Sequence, residues 1–221
     1  MQLVTLVSFL TSSLPHWRNR WTNCATLHTW RSGGSVKSDS IFFFLFFFEA
    51  TKALVSSLVL SRLDYCTALL AGSPQVLHDK IQKVINCSAR LTFKVPKSAY
   101  ITPFLYDLHW LPVSSRIQYK IALICFHVVS GTAPPYLSEL LHLYSSSRSV
   151  RSAADTGTFR VPRMGRRTLG ERSFQYIGSV IWNSLPLSVR HSSSLSSFKS
   201  KLKTHLLSST YWSVVLPIHH Q

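Results

Sequence analysis

Residues 97–131 read KSAYITPFLYDLHWLPVSSRIQYKIALICFHVVSG, and the second half of this stretch decides the fold. From Ile117 the apolar residues recur at Ile121, Ile124 and Val128, the 3.6-residue spacing of one helix face. Ser114 or Ser115 can cap this helix, since a hydroxyl oxygen accepts from the free N–H groups of a first turn. Gly131 ends it ahead of Pro134 and Pro135. Leu123 and Phe126 make the helix apolar on more than one side, so it is expected to be central.

Helical patterns continue on both sides. Upstream, QVLHDKIQKVINCSARLT puts Leu77, Ile81, Val84, Ser88 and Leu91 on one stripe, with Lys80, Lys83 and Arg90 off it. Before that, ALVSSLVLSRLDYCTALLAG (53–72) is rich in apolar residues and helix formers, and it stops at Gly72 and Pro74. Downstream, Tyr136–His142 reads as a short helical piece. ERSFQYIGSVIWNSLP then makes a helix with Phe174, Ile177, Ile181 and Trp182 inside, Trp182 serving as a core anchor. SLSSFKSKLKTHLLSS sets Phe198, Leu202 and Leu206 four residues apart, and Lys199, Lys201, Lys203 and His205 lie elsewhere around that helix. The fold class expected is mainly α, an irregular helical bundle with a basic loop and an irregular N-terminal segment.

That basic loop is the aperiodic stretch from Ser145 to Arg172. It holds Arg148, Arg151, Arg160, Arg163, Arg166, Arg167 and Arg172 against only Asp155 and Glu171. Guanidinium groups neutralise phosphates and pair with them bidentately, so these seven arginines are candidate nucleic-acid contacts. Lys199, Lys201 and Lys203 are added to the same candidate set. The whole chain agrees in sign: 24 Lys and Arg stand against 8 Asp and Glu, for a formal charge of +16. Such a balance favours a polyanionic partner over an enzyme with an acidic site.

The amino-terminal part behaves differently. MQLVTLVSFLTSS has the apolar centre of a signal peptide from Leu3 to Leu10 but lacks the positive residues that should precede it. An intracellular location is therefore expected. PHWRNRWTNCATLHTWRSGGSVKSDS follows no period, and Ser32–Ser40 reads as a linker. The run IFFFLFFF, Ile41 to Phe48, is too short for a bilayer-crossing helix, which needs about 20 apolar residues. Extending it to Leu60 would carry Glu49 and Lys52 into hydrocarbon at roughly 2.5–3.5 kcal/mol each. A buried strand is one alternative. Another is that the run is the translation of a thymine-rich tract, since the Phe, Ile and Leu codons can all be thymine-rich.

Catalytic patterns are scarce. No two acidic residues are adjacent anywhere, so Asp64 and Asp107 read as capping or paired structural carboxylates. GxSxG, HExxH, a P-loop and GxGxxG are absent. The four cysteines, 24, 66, 87 and 125, form no CxxC pair and read as buried thiols behaving as small hydrophobes. His219 and His220 adjoin at the tail without a third ligand in range. No cofactor, metal or small-molecule substrate is expected.

SRLDYCTALLAG, LHWLPVSSRIQYK, SSRSVRSA, WNSLPLSVR and SSFKSKLKTHL, in this order, resemble the carboxy-terminal part of the reading frame of vertebrate LINE retrotransposons, the jockey-like branch of non-LTR reverse transcriptases. The resemblance runs from about Ala53 to Ser209. It implies three segments: 1–52 outside the family, 53–209 a helical thumb-like and connecting region that follows the polymerase palm, and 210–221 a tail. It also implies contact with a template and primer duplex, that is, with RNA or DNA phosphates irrespective of sequence. The family's polymerase site is an aromatic-x-Asp-Asp turn holding two magnesium ions, and this sequence has none. The expectation is a truncated, non-catalytic remnant whose Phe tract marks the junction with unrelated sequence. The rival reading is a small basic protein held on anionic membranes through residues 41–60.

Overall fold

A computed structural model describes residues 38–144, 157–163 and 170–215. The protein is mainly α-helical, and among the described residues the only strand pairing is one antiparallel bridge, Leu143 with Phe159. The chain divides into two units, Met1–Ala50 and Thr51–Gln221.

In the first unit the described residues, from Ser38 onward, belong to helix α1 (Ser38–Val55). This corrects the expectation of irregular structure for residues 38–52 and excludes the buried-strand reading of the Phe tract; the signal-like stretch Leu3 to Leu10, the aperiodic segment after it and the first part of the Ser32–Ser40 linker lie outside the described residues. Residues 45–55, LFFFEATKALV, carry Leu, Glu, Ala and Lys, all strong helix formers, so local propensity supports the helix. Phe46 and Phe47 are exposed.

In the second unit, α1 passes into a π-helical turn (Ser56–Leu60), then α2 (Ser61–Tyr65) and a 3₁₀ turn (Thr67–Leu70). Gly72 ends this run with φ +71, where a side chain would be strained and its Cβ would come within 2.7 Å of the Arg172 Cγ. Next come α3 (Gln75–Phe93), α4 (Thr102–Asp107), α5 (Val113–Val129) and α6 (Pro135–Ser138). The last three helices are α7 (Phe174–Ser184), α8 (Leu187–Arg190) and α9 (Leu195–Val215), the last kinked at Tyr211. Helix α6 is shorter than the expected Tyr136–His142 piece.

Helix α5 is central, as its sequence implied: α3, α7, α9 and the 3₁₀ turn all pack on it. Its buried side chains are Val113, Ser115, Ile117, Ile121, Ala122, Cys125 and Phe126, while Ile124 and Val128 are only partly covered. The small Ala122 and Cys125 admit neighbouring helices closely, which shifts the contact face away from Ile124. Gly131, at φ +67, ends the helix as expected.

The start of α5 differs from expectation. The residue at the N-cap is Pro112, and no side chain caps locally. The free N–H of Val113 instead donates to Gln82 Oε1 of α3 at 3.0 Å, a long-range substitute for the serine cap. Ser115 Oγ shares a hydrogen bond with Thr210 Oγ1 of α9. Arg116 fixes the preceding turn, donating from Nε to the Leu111 carbonyl and from Nη1 to Asp64 Oδ1, each at 2.7 Å. Asp64 is thus a paired structural carboxylate. The Tyr211 hydroxyl donates to the Trp110 carbonyl from the other side.

The core runs along an aromatic chain. Phe159, Trp182, Phe198 and Phe126 follow one another at ring separations of 5.7, 5.9 and 4.4 Å, joining the segment at 157–163 to α7, α9 and α5. Trp182, Phe198 and Leu202 are at most 1% exposed, and Leu206 is 4% exposed, so the stripe read for α9 and the anchor read for α7 both hold. On α7 the fully covered neighbours of Trp182 are Gly178 and Ser179; Phe174, Ile177 and Ile181 are partly exposed. The stripe read for α3 is rotated. Of the residues read on it, Ser88 is buried and Ile81 partly covered, while Leu77, Val84 and Leu91 are exposed; the inward face is Ile85, Ser88, Ala89 and Thr92. Of the described cysteines, Cys125 is buried, but Cys66 and Cys87 are exposed, which corrects the expectation of buried thiols.

Candidate nucleic-acid interface

The arginine-rich stretch contains a short extended segment that the periodicity did not reveal. Thr158, Phe159 and Arg160 lie antiparallel to His142, Leu143 and Tyr144, with Tyr144 N donating to Thr158 O and Arg160 N donating to His142 O, both at 2.8 Å. One bridged pair with two hydrogen bonds is marginal by itself. The segment is held by α7. Asn183 brackets Phe159 on both sides, its Oδ1 accepting from the Phe159 N–H at 2.9 Å and its Nδ2 donating to the Phe159 carbonyl at 2.8 Å. One side-chain amide thus replaces a further strand, satisfying both backbone groups of a residue that is 2% exposed. The Trp182 indole N–H donates to the Gly157 carbonyl at 2.8 Å.

Side chains alternate along an extended segment, so burying Phe159 turns Arg160 outward. Arg160 is exposed, as is Arg163 in the same segment. Arg172, also exposed, precedes Ser173, whose hydroxyl caps α7 by accepting from Tyr176 N. Its aliphatic stem passes Gly72. Arg148, Arg151, Arg166 and Arg167 lie outside the described residues.

Lys199, Lys201 and Lys203 are all exposed on α9 but do not share a face. At about 100° per residue, Lys199 and Lys203 fall on one side a turn apart, while Lys201 is about 200° from each. Lys201 donates to the Ser188 carbonyl at 3.1 Å and so ties α9 to α8. Arg190, absent from the candidate set, is partly buried and donates from Nε to the Leu185 carbonyl at 3.1 Å. Burial lowers its pKa, and its bond to the Leu185 carbonyl ties it to the turn before α8.

One aromatic cluster roots both basic segments. Arg160 follows Phe159 and Lys199 follows Phe198, and both rings pack on Trp182. The residues that fix this arrangement, Phe159 and Asn183, were missed in sequence. A Phe flanked by Thr and Arg in an aperiodic stretch gave a faint signal. Asn183, one residue past a buried Trp, gave another.

Among the described residues no group of three or more His, Cys, Asp or Glu side chains could hold a metal ion, and no helix is long and apolar enough to cross a membrane. Comparison of the chain with family models, curated proteins and solved structures gives no match.

Proposed function

We propose that the helical body at 53–209 is a non-catalytic, reverse-transcriptase-like module that binds RNA or DNA through the phosphate backbone, without sequence preference. The observation that supports it best is that Arg160 and Lys199 each follow a ring of a single buried aromatic cluster, in a chain of net charge +16. A cation on fixed backbone pays less ordering entropy on binding than one on a mobile loop. The likeness of five sequence motifs to the post-palm region of LINE reverse transcriptases points the same way.

The test is the salt dependence of binding to a labelled oligonucleotide, read by fluorescence anisotropy. About six phosphate contacts give a slope near −5 in log K against log salt. Replacing Arg160, Arg163, Lys199 and Lys203 together with Gln is expected to flatten the slope by about 3 units and to weaken binding to all sequences alike. Lys201→Gln is expected to change it by less than about 1 unit. An unchanged slope in the fourfold variant would sink the assignment of these residues.

The same reading forbids polymerisation, because two metal-binding carboxylates are required and none are adjacent. Purified protein with primed RNA template, magnesium and deoxynucleotides should extend nothing above a blank. A rival, association with anionic membranes, draws on the exposed Phe46 and Phe47. Flotation with acidic liposomes, with and without residues 1–52, separates it from nucleic-acid binding.

A further inference from the structure

We infer that the outer face of the short ladder, carrying His142, Tyr144 and Arg160, is a docking point for one unpaired nucleotide. The inference rests on the nucleic-acid reading above and adds to it a preference for single strands.

The ladder's register supplies the geometry. Leu143 pairs with Phe159, so His142 stands opposite Arg160 and Tyr144 opposite Thr158. Side chains of directly opposed residues share a face, and the Leu143 and Phe159 side chains take the other one. Phe159 is buried against Trp182, and the alternation of the ladder puts His142, Tyr144 and Arg160 on the opposite face; Leu143, on the Phe159 side, is itself 55% exposed. His142, Tyr144 and Arg160 are all exposed, Tyr144 by 55%. Tyr144 and Arg160 are diagonal neighbours, about 7–8 Å apart across the pair.

This set combines what a single strand offers and a duplex hides. A tyrosine ring stacks on a base face only where the base has left its own stack, and it does so with every base type. The Arg160 guanidinium can then take the adjoining phosphate with two parallel N–H donors. His142, on the same side, adds a ring N–H for a phosphate or ribose oxygen. The Asn183 bracket and the Trp182 bond hold the backbone beneath, so the face exists before a ligand arrives.

The test compares a single-stranded RNA with a duplex of the same length, using the full chain at fixed salt. Tyr144→Ala is expected to weaken single-strand binding about tenfold and to leave duplex binding within about twofold. Tyr144→Phe should keep wild-type binding, since the ring and not the hydroxyl stacks. Arg160→Gln should weaken both ligands and reduce the salt slope by about 1 unit. Equal losses on the two ligands with Tyr144→Ala, or no loss on the single strand, overturn the stacking assignment. A wild-type chain that binds neither ligand overturns the nucleic-acid reading on which it stands. Tyr144 is exposed, so these variants are expected to fold as the wild type does, and matching circular dichroism checks that.

Discussion

Replacing Trp182 with alanine is expected to cost about 3–5 kcal/mol of stability. The side chain is 1% exposed and lies between Phe159 and Phe198, so its removal opens a cavity where the extended segment, α7 and α9 meet. Domains of this size hold about 5–15 kcal/mol in all, so the loss takes a large share. It should appear as a lowered urea midpoint. A second readout separates packing from pinning. Trp182→Phe keeps most of the ring but deletes the indole N–H, leaving the Gly157 carbonyl without that donor at a cost of about 1–2 kcal/mol. Limited proteolysis of the Phe variant should show faster cleavage around 157–163 while the helices stay resistant. If Trp182→Ala moves stability by less than about 1 kcal/mol, the aromatic chain is not what joins these elements.

The helical character of the chain was legible because it depends on local spacing alone. Phe198, Leu202 and Leu206 repeat every four residues with no competing row, and all three are buried. Helix α3 shows where that logic stops. Leu77, Val84 and Leu91 form a row of larger apolar side chains than Ser88, Ala89 and Thr92, yet it is these three, together with Ile85, that face the protein. Small side chains allow α4 and α5 to approach closely. Phe93, at the end of α3, then meets Phe104 of α4 with ring centroids 4.8 Å apart. Ranking rows by hydrophobicity cannot foresee that choice, which belongs to the partner helices. The start of α5 teaches the same lesson, because its cap comes from Gln82, 31 residues away.

For the candidate interface, composition identified the charged stretch but not its organisation. Lys199, Lys201 and Lys203 look equivalent in sequence; helix geometry and the bond from Lys201 to Ser188 divide them. Phe159 was hidden because one inward residue in an extended segment creates no period. Asn183 was hidden because its role, closing both hydrogen bonds of a distant residue, is visible only once α7 and that segment are adjacent. Tyr144 and His142 acquire a shared face with Arg160 only through the register of the bridge.

Raising the pH above about 9 is expected to destabilise the protein through Cys125, at the crossing of α5 and α7. The thiol is fully buried, its Sγ 3.5 Å from the Gly178 carbonyl, and burial pushes its pKa from 9.0 up to about 12. The cause is desolvation, which penalises the thiolate and leaves the neutral thiol unaffected. The folded-state pKa is raised, so the contribution is complete below the unfolded value of 9.0 and is lost as pH rises toward about 12. Between those limits the unfolded chain has released a proton that the folded chain keeps, and stability falls by about 1.4 kcal/mol per pH unit. Tyr211 acts in the same direction: burial raises its pKa, only partly offset by Arg116, and its hydroxyl must keep its proton to donate to the Trp110 carbonyl. Urea midpoints measured under reducing conditions at pH 8 and pH 10.5 should therefore drop steeply in the wild type. Cys125→Ala removes the titrating group, so its stability at pH 8 should be lower but its decline with pH shallower by about 1.4 kcal/mol per unit. Tyr211→Phe should flatten the decline only at the upper end of the range. An equally steep decline in Cys125→Ala would mean that the thiol between α5 and α7 reaches water without unfolding, and that this helix crossing is looser than its burial indicates.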